Sequence, residues 1–164
     1  MDKRKSLVIL GVGNDIRMDD GAGIRVVERL ERDTELEALD ISFKYLNTGG
    51  FDILDEIDGY ERAIIVDAAS MTDQGLKPGQ FFHIEDLNEY PKGKSIGVSS
   101  HGIGILQVLG YAKIGGYQVP KELEVYGIQV KETGYFSEKL TPEVAEGVNK
   151  LAKVLKERIL SFYS

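Results

Sequence analysis

The sequence predicts an α/β fold, a three-layer α-β-α domain on a mostly parallel, twisted sheet of about five strands with helices on both faces. Three observations predict it. Apolar runs of strand length, residues 7–12 and 63–66, are continuous rather than alternating, the pattern of strands buried on both faces. Segments of helical periodicity separate such runs. The order reads β-α-β-α-β, an edge or hairpin strand, then α-β-α, and strands alternating with helices form parallel sheets. The 164 residues are 42% hydrophobic, enough for one domain, residues 1–164, with a sizeable core.

The first strand covers residues 7–12 and runs into Gly11-Val12-Gly13-Asn14. A helix starts near Asp20. Gly23, Val26, Val27 and Leu30 share its inner face, and Glu28, Arg29, Glu31 and Arg32 its solvated one. Residues 41–46 are a second strand with Ile41, Phe43 and Tyr45 on one face. The turn Asn47-Thr48-Gly49-Gly50 leads into a short helix near residues 51–57. Residues 63–66 form the most deeply buried strand, ended by Asp67, and the stretch 68–79 is rich in turn residues. A fourth strand takes residues 80–84, and residues 85–98 read as an irregular loop. The next helix is capped by Ser99 or Ser100 and turns Ile105, Val108, Leu109 and Ala112 inward. Residues 122–129 are the fifth strand. Thr141 is the N-cap of the last helix, with Pro142 at its first position and Glu143 in its first turn. Val144, Val148, Leu151, Leu155 and Ile159 form its buried stripe.

Composition removes several function classes. The net charge of −7 argues against a nucleic-acid binder, which carries a basic stripe. The absence of cysteine excludes disulfides, cysteine-ligated zinc and thiol nucleophiles. The basic start Met1-Asp2-Lys3-Arg4-Lys5 precedes an apolar run too short for a signal peptide, and no stretch approaches the roughly 20 residues of a membrane span. The expectation is a cytoplasmic protein with no membrane contact. There is no His-Glu-x-x-His helix, Gly-x-Ser-x-Gly elbow or Walker loop. Gly11-Val12-Gly13 lacks the third glycine of a dinucleotide fingerprint, since Ile16 stands there, and Asp15, Asp19 and Asp20 would repel a pyrophosphate. No organic cofactor is expected.

Three side chains remain that suit a metal. In an α/β sheet the strand ends share one edge, where ligands bind. Asp20, Asp67 and His101 all map to that edge, and two carboxylates with an imidazole suit Ni²⁺ or Zn²⁺. The helix dipole disfavours an imidazolium at His101 and so favours the neutral, metal-binding form. Each residue also has a plainer role: Asp20 as an N-cap, Asp67 as a turn former, His101 as a solvated first-turn residue. The remaining histidine, His83, reads as a partly buried structural residue. The paired glycines of Thr48-Gly49-Gly50 leave backbone available to pair with a peptide substrate.

Taken together, Gly11-Val12-Gly13-Asn14, Asp19-Asp20-Gly21-Ala22-Gly23, Ile65-Val66-Asp67-Ala68, Ser99-Ser100-His101-Gly102 and Val125-Tyr126-Gly127-Ile128 resemble the [NiFe]-hydrogenase maturation endopeptidases over nearly the whole chain. The resemblance implies a protease that removes a C-terminal extension from the hydrogenase large-subunit precursor after nickel insertion. It implies Asp20, Asp67 and His101 as metal ligands, nickel arriving with the substrate, a monomer, and hydrolysis of either aspartic or metal-assisted type, in which Asp20 and Asp67 assist water attack or the metal activates the water. The aspartate that the family often places in the glycine-rich loop after the second strand has no counterpart in Asn47-Thr48-Gly49-Gly50. Two other readings use the same residues. A non-catalytic nickel-sensing or metal-delivery protein would share the ligands, but metal carriers often have His- or Cys-rich tracts that this chain lacks. A small-molecule hydrolase or transferase would use the loops instead.

Overall fold

A computed structural model of the chain describes residues 5–47, 50–70, 75–84, 105–112 and 114–164. Five strands form one sheet in the order β2-β1-β3-β5-β4. They are β1 (Lys5–Val12), β2 (Ile41–Leu46), β3 (Tyr60–Ala69), β4 (Phe81–Ile84) and β5 (Glu122–Gln129). All neighbours run parallel except β4, which pairs antiparallel with β5 at the edge. The helices are α1 (Ala22–Glu31), α2 (Thr34–Glu37), α3 (Asp52–Ile57), α4 (Ile105–Tyr111) and α5 (Pro142–Phe162).

The two-residue period of the central strands sorts the core into two layers. Leu7, Ile9, Ile64, Val66 and Ala68 pack on Val26, Val27 and Leu30 of α1 and the Val144-to-Ile159 stripe of α5. Val8, Leu10, Ala63, Ile65 and Ala69 face Ile53, Leu54 and Ile57 of α3 and Ile105 and Val108 of α4. The continuous apolar runs have this cause: both faces of β1 and β3 are covered. The three-layer expectation therefore holds, and so does the edge position of the fourth strand.

Four local expectations change. The segment expected to open α1 is a 3₁₀ turn, Met18–Gly21, and the α-helix starts at Ala22. Strand β3 is ten residues long and continues through Asp67 to Ala69, so Asp67 stands inside the strand rather than ending it. The extension follows from pairing with β5, where Ala68 and Ala69 stay in register with Ile128 and Gln129. His83 is exposed on edge strand β4, its ring stacked on Tyr126 at 4.4 Å. Short helix α2 was not evident in the sequence; Asp33 caps it by accepting from the Glu35 N–H at 2.9 Å. The expected loop 85–98 and the Ser99–Ser100 cap lie outside the described residues.

Helix α1 lies unusually close to β3. A Cβ on Gly23 would sit 2.3 Å from the Val66 carbonyl oxygen and 2.9 Å from Asp67 Cα. Gly23→Ala should cost about 1–3 kcal/mol through this overpacking. Gly110 on the exposed side of α4 has open space around it, so Gly110→Ala should stabilise by about 0.5–1 kcal/mol. Denaturant unfolding of the two variants should shift the midpoint in opposite directions.

Candidate active site

The switch point of the sheet lies between β1 and β3, because the chain leaves β1 toward β2 on one side and toward β3 on the other. Ligands bind outside the carboxyl ends of the strands at such points. The two predicted aspartates meet there. Asp67 pairs with Val12, the last residue of β1. Asp20 follows β1 in the 3₁₀ turn and lies close enough to Asp67 for its charge to act on it.

Both carboxylates are buried, Asp67 with 5% of its surface exposed and Asp20 with 6%. Burial pushes the Asp67 carboxyl well above the usual carboxylate range, and the neighbouring Asp20 charge pushes it further, while the Ala68 backbone N–H pulls it back. Burial also raises Asp20, opposed by the Asn14 backbone N–H and the Arg17 charge. The charged pair is thus strained electrostatically and suited to a cation or a shared proton. Two neighbouring hard oxygen donors whose ionisation burial disfavours suit a divalent cation. Among the described residues no group of three or more His, Asp or Glu side chains is gathered as a metal site. His101, Thr48 and Gly49 lie outside the described residues. Gly50 is half-buried, its carbonyl accepting from the Ile53 N–H at 3.1 Å in the turn that opens α3.

The N-cap role considered for Asp20 is not what the fold uses. Arg17 and Gly21 occupy the cap positions, with no side-chain capping bond at either. Its neighbour Asp19 does the structural work. Fully buried, Asp19 accepts four hydrogen bonds: Lys131 N–H at 3.0 Å, Glu132 N–H at 2.9 Å, Thr141 N–H at 2.7 Å and the Thr141 hydroxyl at 2.8 Å. Thr141 thereby stands at the N-cap of α5 with its hydroxyl turned away from the helix. The adjacent acidic pair flagged the segment in the sequence, but nothing local said which carboxylate was the clamp.

Glycine makes the geometry possible. Gly13 has φ +146, and a Cβ there would lie 2.1 Å from the Asp20 carbonyl oxygen. Together with Gly23 it lets the 3₁₀ turn settle on β1 and β3. The space these glycines leave is filled by the protein's own backbone, not by a ligand. Met18, with φ 51, adopts the left-handed conformation just before the aspartates, a strain of about 1–3 kcal/mol that the surrounding bonds hold in place.

The model of the hydrogenase maturation protease family HycI matches residues 24–158. The chain belongs to the hydrogenase maturation proteases. The relatives of this maturation protease include the hydrogenase 2 maturation protease of Escherichia coli K12, 30% identical over 126 residues, 74% of this chain and 71% of that protein. The hydrogenase expression/formation protein HupD of Thiocapsa roseopersicina is 29% identical over 95% of this chain and 68% of its own length. Among solved structures, the [NiFe] hydrogenase maturation protease HycI from Thermococcus kodakarensis KOD1 superposes with a TM-score of 0.69 at 27% identity, covering 93% of this chain and 91% of that one. The hydrogenase maturating endopeptidase HybD from E. coli shares the fold with a TM-score of 0.74 at 23% identity, over 95% and 93% of the two chains.

Two adjacent aspartates should therefore respond oppositely to the same change. Asp19→Asn places an N–H₂ where acceptors are needed and should cost about 2–3 kcal/mol in chemical denaturation. Asp20→Asn removes a charge that burial disfavours and should leave the fold as stable or more so.

The pH dependence has a definite sign. A raised carboxyl keeps its proton in the folded state where the unfolded chain has lost it. That contribution is full below about pH 4, the unfolded carboxyl value, and fades as pH rises through the folded one. Metal-free Asp67→Asn should thus melt about 2–4 °C above the wild type at pH 7, the effect of about 1 kcal/mol in a chain of this size. Thermal scans should show this advantage shrinking as pH falls toward 4.

Proposed function

We propose that this protease removes the C-terminal extension of a [NiFe]-hydrogenase large-subunit precursor after nickel insertion, and that Asp20, Asp67 and His101 recognise the nickel. The observation that carries the reading is the buried Asp20–Asp67 pair at the switch point, two carboxylates that repel each other unless a cation or proton lies between them. The family assignment supports the substrate class. Nickel is part of the substrate in this reading. The precursor brings it with its own ligands, and the protease adds oxygen and nitrogen donors. Three such donors without thiolate hold a metal weakly alone. Two linked contacts acting together raise the affinity for a loaded precursor.

The aspartates then serve the hydrolysis directly. A water held between the carboxylates and the scissile carbonyl gives its proton to one of them as its oxygen bonds to the carbonyl carbon. That proton passes to the departing amide nitrogen as the C–N bond breaks. Thr48, Gly49 and Gly50 at the end of β2 offer backbone to the extended peptide. The protease works in the cytoplasm as a monomer, where a precursor would meet it before assembly.

Purified protease treated with chelator should cut nickel-loaded precursor without added metal and leave metal-free precursor intact. Equal cleavage of both would reject nickel recognition, and binding without cleavage would make the chain a metal-sensing or delivery protein. Asp20→Asn, Asp67→Asn and His101→Ala should each lower cleavage by a factor of about 100 or more, with the thermal midpoint no lower than wild type. Loss of the fold along with activity would assign the residue a structural role.

A further inference from the structure

The rim beside Asp20 carries an apolar platform that the chemistry above does not use. Phe136 is 83% exposed, Tyr135 69% and Ile16 47%. Backbone pairing joins their loops. The Ser137 N–H donates to the Ile16 carbonyl at 2.8 Å, the Met18 N–H to the Ser137 carbonyl at 2.8 Å, and Arg17 bridges Ser137 in parallel register. Arg25 reaches both sides, its Nη2 donating to the Asp15 carbonyl at 3.3 Å and the Glu138 carbonyl at 3.4 Å. The Asp19 bonds anchor the same two segments below. The exposed rings therefore stand on a braced support. Binding there costs little ordering entropy, and an exposed apolar patch of this kind marks an interaction surface.

Area and continuity choose the occupant. Two aromatic side chains bury about 300–500 Å², and the half-exposed Ile16 adds too little to reach the roughly 800 Å² per partner of a stable interface. A second copy of this chain would find too little here to hold it. A polypeptide engaged at the Asp20–Asp67 edge meets the platform in the same encounter, because Ile16 and Asp20 belong to one short loop. We infer that Ile16, Tyr135 and Phe136 dock an apolar segment of the substrate protein beside the bond to be cut. The inference rests on the proposed function and adds the surface that holds the precursor's polypeptide apart from its metal.

The test is steady-state cleavage of nickel-loaded precursor by the double variant Tyr135→Ser/Phe136→Ser. KM should rise roughly tenfold or more, as loss of aromatic anchors does at interfaces, with kcat within about twofold and the thermal midpoint unchanged. Tyr135→Leu/Phe136→Leu should restore most of the affinity, since the contact is apolar. An unchanged KM in the serine variant overturns the docking surface while wild-type cleavage keeps the function standing. A loss that leucine does not restore also overturns it. So does a wild-type dimer in sedimentation that the serine variant abolishes at unchanged KM. A wild type that neither binds nor cuts the precursor rejects the proposed function and this surface with it.

Discussion

Asp19 ties together three parts of the chain that the functional edge needs in one place. Its carboxylate accepts from the backbone of Lys131 and Glu132 beyond β5, and from the backbone and hydroxyl of Thr141 at the start of α5. A carboxylate among several N–H donors makes strong, charge-assisted bonds. Burial is affordable for that reason, whereas an unpaired charge there would be costly. The 3₁₀ turn is thereby fixed against the segment after β5, and its next residue, Asp20, is held over the end of β3.

That arrangement concentrates unfavourable terms in a small region. Met18 holds a left-handed backbone, both Asp20 and Asp67 are buried, and the Asp20 charge adds to the cost of ionising Asp67. None of these stabilises the fold. They persist because the surroundings leave no room to relax: α1 approaches β3 within van der Waals limits at Gly23, and the Asp19 bonds close the other side. Strain of this kind collects at functional sites.

Most of the scaffold was legible because it rests on local periodicity. The bounds of β2 and β5 are those expected from the sequence, and every residue expected in the inner stripe of α5 is buried. The three-layer arrangement follows from the unbroken apolar runs of β1 and β3, since strands covered on both faces show such runs. The site was legible as an edge with Asp20 and Asp67 on it. The separate duties of Asp19 and Asp20 were not, because the bonds that distinguish them reach Lys131, Glu132 and Thr141, more than a hundred residues along the chain. The Thr141 hydroxyl misleads for the same reason: its N-cap position is local, its partner is not. Tyr135 and Phe136 stand in a segment without periodicity, and only their exposure in the folded chain sets them apart from core aromatics.

Under the proposed function, the geometry also limits what the protease can cut. A groove of about 740 Å³ runs between α1 and α5, lined by Arg25, Glu28, Arg29, Leu140 and Val148, and takes in neither aspartate. The aspartates lie instead at the carboxyl edge of the sheet, outside that groove. Discrimination then has to come from interactions that a random polypeptide lacks. A bound cation is one, because it relieves the Asp20–Asp67 repulsion that burial creates. A metal-free chain has to bind against that repulsion or take up a proton first. The energetic cost of burying two carboxylates together is then the same property that makes the site respond to a loaded precursor and ignore other proteins.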